Sequence, residues 1–116
     1  LNVTAFLAGG LAGAQRELIG EPYRDASGTI YNPLVRQPIL VFTANTDEIR
    51  TAHARGLDRQ VTLAIYTSAL FATGHDDANR AAVATVSRDA LDLVGLAFHA
   101  DKRVADKIIK GLKLHP

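Results

Sequence analysis

The stretch that decides the fold is "VTLAIYTSALFATGHDDANRAAV", residues 61–83. Its first seven residues are rich in β-branched and aromatic side chains and read as a strand, 61–67. The last eight carry helical spacing, and the helix is expected over about 76–86. Between them lie hydroxyls, a Gly, a His and two carboxylates. Thr73 is placed to cap the helix, with Asp76 at the box position and Asp77 beside the positive helix end. The same stretch supports a second use. In open α/β sheets ligands settle at the carboxyl ends of strands, so Tyr66, Thr67 and Ser68 stand where a pocket forms, with His75 and Asn79 able to face it.

Working outward, the apolar run "ILVFTA", 39–44, reads as an interior strand covered on both faces. Asn45 and Glu48 then form a capping box for a helix whose inner stripe is Ile49, Ala52 and Leu57. "LDLVGLAF", 91–98, reads as a third strand, and 101–111 as a short helix capped by Asp101 and stopped at Gly111, with Val104 and Ile108 inward. Residues 22–32, "PYRDASGTIYN", read as a short hairpin. Strands alternating with helices predict an α/β layer structure with right-handed crossovers, the strands 39–44, 61–67 and 91–98 lying in one sheet with helices on both faces.

The opening segment, "LNVTAFLAGGLAGA", is apolar nearly all round, which predicts a helix buried on both sides. Its small residues would let a neighbour approach closely. "GGLAG" echoes a dinucleotide-binding turn but lacks the preceding strand and the full glycine spacing, so packing is the better reading. A signal-peptide reading fails for want of a basic segment before the apolar run. At about 14 residues the run is also too short to span a bilayer, and no membrane partner is expected.

One domain, 1–116, suits this length. The chain is 47% apolar with a net charge of +1, so no overall field draws it to nucleic acid or to an anionic surface. It has no Cys, which removes disulfides, thiolate catalysis and Cys-based metal sites. That agrees with a reducing compartment, and a cytoplasmic protein is expected. His75, Asp76 and Asp77 are adjacent at a helix start and point apart, so neither a metal site nor a cofactor is expected. Lys102, Arg103, Lys107, Lys110 and Lys113 read as a solvated helix face. Contact with RNA phosphates has only weak support, since no aromatic residues interleave with them.

The C-terminal "LDLVGLAFHADKRVADKIIKGLKLHP" resembles the closing strand, helix and tail of type II peptidyl-tRNA hydrolases. It is still more similar to an uncharacterised bacterial family grouped with that fold, in which "DASG", a "PILVF"-like strand and "GLKLHP"-like endings recur. The resemblance implies a three-layer α/β fold, a small mixed sheet with helices on both faces, with a further strand before the first helix, and so about 10–20 natural residues upstream of Leu1. It also places Asn2, Gly9 and Thr67 where the hydrolases carry a lysine, a histidine and a carboxylate. Those residues cannot move a proton.

The expected function is therefore a binding domain for a small polar or anionic ligand at the carboxyl edge of the sheet. The candidates are Asn2, Tyr66, Thr67, Ser68, His75, Asn79 and His99. The alternative is a hydrolase of aminoacyl or peptidyl esters with a rearranged site, for which His75, His99 or Asp76 would have to serve as base. A homodimer is expected through the 22–32 hairpin, where Tyr23, Ile30 and Tyr31 give an amphipathic edge.

Overall fold

A computed structural model describes residues 1–116. The chain runs α1 (Asn2–Ala14), β1 (Tyr23–Arg24), β2 (Ile30–Tyr31), β3 (Phe42–Thr43), α2 (Thr46–Asp58), β4 (Ala64–Thr67), α3 (Asp76–Ala84), β5 (Leu93–Ala97), α4 (Lys102–Ile108) and β6 (Lys113–Leu114), with 3-10 turns at 16–18, 68–72 and 88–90. It is a small mixed α/β domain with four helices. Its strands pair as three two-stranded antiparallel sheets, β1–β2, β3–β6 and β4–β5.

This corrects the expected single sheet. The strand read at 39–44 shrinks to Phe42–Thr43 and pairs with the C-terminal tail, Phe42 opposite Leu114 and Thr43 opposite Lys113. Ile39, Leu40 and Val41 stand exposed instead of lying between two layers. β4 and β5 run antiparallel, Ala64 opposite Ala97 and Tyr66 opposite Gly95, so the path through α3 is not a crossover. α1 and α2 both pack on β5 and touch each other at most marginally, which puts them on opposite faces of that strand.

α1 is not buried as expected. Leu7 is its one buried residue, and Phe6 is 60% exposed. The helix presses Val3 and Leu7 onto β5 at Gly95, while a Cβ on Gly9, Gly10 or Gly13 would meet nothing within 4 Å. Those glycines admit no close neighbour here. The small residues lie on the open side of a helix packed along one side only.

α2 begins as its sequence requires. Asn45 Oδ1 accepts from the Glu48 amide at 2.9 Å, and Glu48 Oε1 accepts from the Asn45 amide at 3.0 Å. Its inner stripe is Ala52 and Gly56, not Leu57, because five residues carry a side chain about 140° around the helix and four bring it nearly back. Gly56 is also required by space, since a Cβ there would lie 2.8 Å from Leu63 Cδ2. α4 takes its cap from Asp101 Oδ1, which accepts from Val104 at 3.0 Å. Gly111 ends the segment at φ +90°. Ile108 is fully buried, and Arg55 reaches across from α2 to donate to the Lys110 carbonyl at 2.9 Å.

Candidate functional site

β4 delivers Tyr66 and Thr67 to the start of a 3-10 turn, Ser68–Ala72, against which α3 packs. The register slips between these two residues: Tyr66 faces Gly95, but Thr67 faces Leu93. Such a bulge re-aims a side chain at a strand end. Thr67 is left 4% exposed, while Tyr66 and Ser68 remain partly accessible. The Ser68 amide closes the turn by donating to the Asp92 carbonyl at 3.0 Å.

Tyr66 is the centre of an aromatic ledge. Its ring lies 6.0 Å from that of Phe6 at 58° and 5.2 Å from that of Phe71 at 52°. These are tilted arrangements of the favourable kind. The two outer rings are 60% and 63% exposed, so the ledge presents aromatic faces to solvent at the end of β4. Asn2 is exposed one turn before Phe6 on the same helix face, at the border of the ledge.

The polar residues of the loop are engaged locally. His75, not Thr73, caps α3: its Nδ1 accepts from the Ala78 amide at 3.2 Å. The Thr73 hydroxyl turns to the Leu70 carbonyl at 2.9 Å and to the Asn79 side chain. Asp76 does not close a box, because it and Asp77 both pair with Arg80 one turn on. Hydrogen bonds that it donates to Asp76 first and Asp77 second hold the Arg80 guanidinium above its ordinary pKa. With one cation against two carboxylates, the entrance to α3 is locally negative.

His99 is separated from the rest. Antiparallel pairing puts Ala97 beside Ala64 and Leu93 beside Thr67, so His99 follows the far end of the ribbon. The end of β4 and the turn after it thus carry Tyr66, Thr67 and Ser68, the start of α3 packed on that turn carries His75 and Asn79, Asn2 lies on α1, and His99 follows the other end of the ribbon. No three His, Asp or Glu side chains converge as a metal-binding cluster. Phe6 and Phe71 were not legible as site residues. Phe71 carried a signal, an aromatic among hydroxyls just after a strand, whereas Phe6 arrives only through the packing of α1 on β4.

No helix is long and apolar enough to cross a membrane. No match is found among curated proteins. The chain is similar to a solved structure of a protein of unknown function from Agrobacterium tumefaciens strain C58. The two share 48% identity and a TM-score of 0.95, over 99% of this chain and 85% of that one. The match to the DUF2000 family runs over residues 1–116, and the chain therefore belongs to this family of proteins of unknown function.

Proposed function

We propose that the chain is a binding module whose ligand face is the ledge of Phe6, Tyr66 and Phe71, rimmed by Ser68, Asn79 and Asn2. The observation that carries this reading is the pair of solvent-facing rings on either side of Tyr66, where a soluble fold ordinarily covers its aromatics. Exposed rings beside hydroxyl and amide groups suit a planar ligand with polar edges. The negative balance at Asp76 and Asp77 opposes an anion, so a neutral polar ligand is favoured over an anionic one. Self-association through the β1–β2 hairpin belongs to the same reading, since Tyr23, Ile30 and Tyr31 are each more than half exposed.

A relationship to type II peptidyl-tRNA hydrolases is supported by the order β5, α4, β6 at the C-terminus, which matches the closing pattern of that fold. It gives the hydrolase reading a shape without a base. His75 already serves as a helix cap, Asp76 is paired, and the Thr67 side chain is buried.

The test is an NMR titration of the protein with two small libraries, neutral planar amides and nucleosides in one, carboxylates and phosphates in the other. The expected result is shifts of the Tyr66 and Phe71 rings and of the Asn79 amide with the neutral set, weakened at least about tenfold in Phe71→Ala, as loss of one stacking contact requires. Binding that Phe71→Ala leaves unchanged, or none in either library, refutes the reading.

A further inference from the structure

α3 is a nine-residue helix with no buried residue, so its start is held by local bonds more than by packing. The acceptor that closes it is an imidazole nitrogen: His75 Nδ1 takes the Ala78 amide at 3.2 Å. Of the usual caps, Ser, Thr and Asn do not titrate and Asp does so only at about pH 4, whereas an imidazole changes charge at about pH 6.5. In the neutral ring Nδ1 offers a lone pair while Nε2 carries the hydrogen; in the imidazolium both nitrogens donate. Protonation therefore sets an N–H against the Ala78 N–H and puts a positive charge at the positive end of the helix. His75 is exposed, so its ring is free to turn away. The charged groups around it are Asp76, Asp77 and Arg80 on α3 itself, and the 3-10 turn Ser68–Ala72 on which α3 packs contributes none. The two carboxylates give a released imidazolium a partner outside the cap, in competition with Arg80.

The start of α3 is also tied to the aromatic ledge. The Thr73 hydroxyl bridges the Asn79 side chain and the Leu70 carbonyl, and Leu70 precedes Phe71, whose ring lies 5.2 Å from that of Tyr66. We propose that His75 is a pH-operated cap that regulates the ledge. With His75 neutral, α3 is closed at Ala78, and Asn79 and Phe71 are held in place. With His75 protonated, the first turn of α3 opens, Asn79 leaves Thr73, and Phe71 loses its seat against Tyr66. The capped form excludes a proton from Nδ1 and the open form does not, so falling pH populates the open form. The cap stands on its own geometry, while its effect on binding rests on the ledge being the ligand face.

The experiment is NMR on the ligand-free chain between about pH 8 and about pH 5, for the parent, His75→Asn and His75→Ala. Asn supplies a cap that does not titrate, and Ala supplies none. The expected result is that the Ala78 and Asn79 amides of the parent match His75→Asn at the upper pH and approach His75→Ala at the lower, following the titration of the His75 ring. The Ala78 amide should lose about tenfold in protection against hydrogen exchange, as loss of a cap requires, and the Phe71 ring and Asn79 side chain should shift with it. His75→Asn should hold its α3 signals throughout. Asp76, Asp77, His53, His99 and His115 are present in every sample, so a change that persists in His75→Asn belongs to them and overturns the proposal. So do α3 amides that stay fixed while the His75 ring titrates, or an Ala78 change that leaves Phe71 and the Asn79 side chain unmoved. No ligand enters the measurement, so a cap that does not switch and a ledge that binds nothing are separate results.

Discussion

Gly95 lies directly under Val3: a Cβ built on it would sit 2.6 Å from Val3 Cγ1 and 2.9 Å from Leu7 Cδ1. The α1–β5 contact therefore depends on a missing side chain in the strand. Gly95→Ala is expected to lift the helix and cost about 1–3 kcal/mol, the usual range for overpacking. For a domain of this size that is a fall in Tm of about 5–15 °C. Gly9→Ala is the opposite case, a helix-interior glycine with nothing within 4 Å, and should gain about 0.5–1 kcal/mol. Thermal melts of the two variants beside the parent decide the matter. An unchanged Gly95→Ala melt would mean that α1 is not seated on β5.

Ile108 is the one fully buried large side chain, and Arg55 closes the turn that follows it by donating to the Lys110 and Ile108 carbonyls at 2.9 and 3.5 Å. Truncating Ile108→Ala should cost about 2–5 kcal/mol by lost transfer energy and the cavity left behind. Because so few residues are buried, a loss of that size is expected to unfold most of the chain at room temperature. Arg55→Ala removes both bonds from the one Nη1 group at a partly exposed position and should cost about 1 kcal/mol. Urea titrations with tryptophan-free far-UV detection distinguish the two. Equal effects would contradict this ranking.

Local rules were the legible part of this fold. Asn45 with Glu48, and Asp101, act within three residues, and both helix starts form as their side chains dictate, whereas α4 ends at Ile108 and Gly111 takes φ +90° in the turn after it. The strand pairing was not legible, because it depends on partners distant in sequence. Nothing in "ILVFTA" says that its partner is the Lys113–Leu114 tail, or that β4 meets β5 in antiparallel register. The candidate site divides in the same way. Tyr66, Thr67, Ser68, His75 and Asn79 are neighbours in sequence, spread over a strand end, a 3-10 turn and the start of the helix that packs on it. His99 was included on the assumption that both strands end on the same side, which antiparallel pairing reverses. The capping role moved from Thr73 to His75 because the Thr73 hydroxyl found the nearer Leu70 carbonyl.

Asp25 organises the β1–β2 hairpin and sets its pH dependence. Its Oδ2 accepts from the Tyr31 hydroxyl at 2.7 Å, and its Oδ1 accepts from the Ser27 and Thr29 amides at 2.9 and 3.0 Å. The Tyr31 hydrogen bond is the largest cause holding the carboxyl below its ordinary value of 3.8. A depressed carboxylate contributes to order above its unfolded pKa, and the contribution is lost as pH falls through the folded value. The hairpin should therefore be intact at neutral pH and loosen only below about pH 4. In Tyr31→Phe the Asp25 titration should move back up towards 3.8. Carboxyl carbon shifts followed by NMR check this, and an identical titration in parent and variant would discount the Tyr31 hydroxyl.

Peptidyl-tRNA is the substrate that the C-terminal resemblance brings forward, and the chain is expected not to turn it over. The resemblance would set Asn2, Gly9 and Thr67 where those hydrolases carry a lysine, a histidine and a carboxylate. Gly9 opens onto empty space, and Thr67 is 4% exposed, out of reach of a bound ester. One lost acid–base group removes about 100- to 10,000-fold in rate, and groups that act as a unit leave mainly binding and orientation when they go together. The nearest titratable substitute, His75, spends Nδ1 on the Ala78 amide, and leaving that bond would uncap α3. Release of free tRNA from labelled peptidyl-tRNA should stay at background for the parent, for His75→Ala and for Thr67→Ala. Turnover in the parent that both variants lose would reverse this conclusion. It would make His75 and Thr67 the centre of a rearranged hydrolase site, with the aromatic ledge serving to position its substrate.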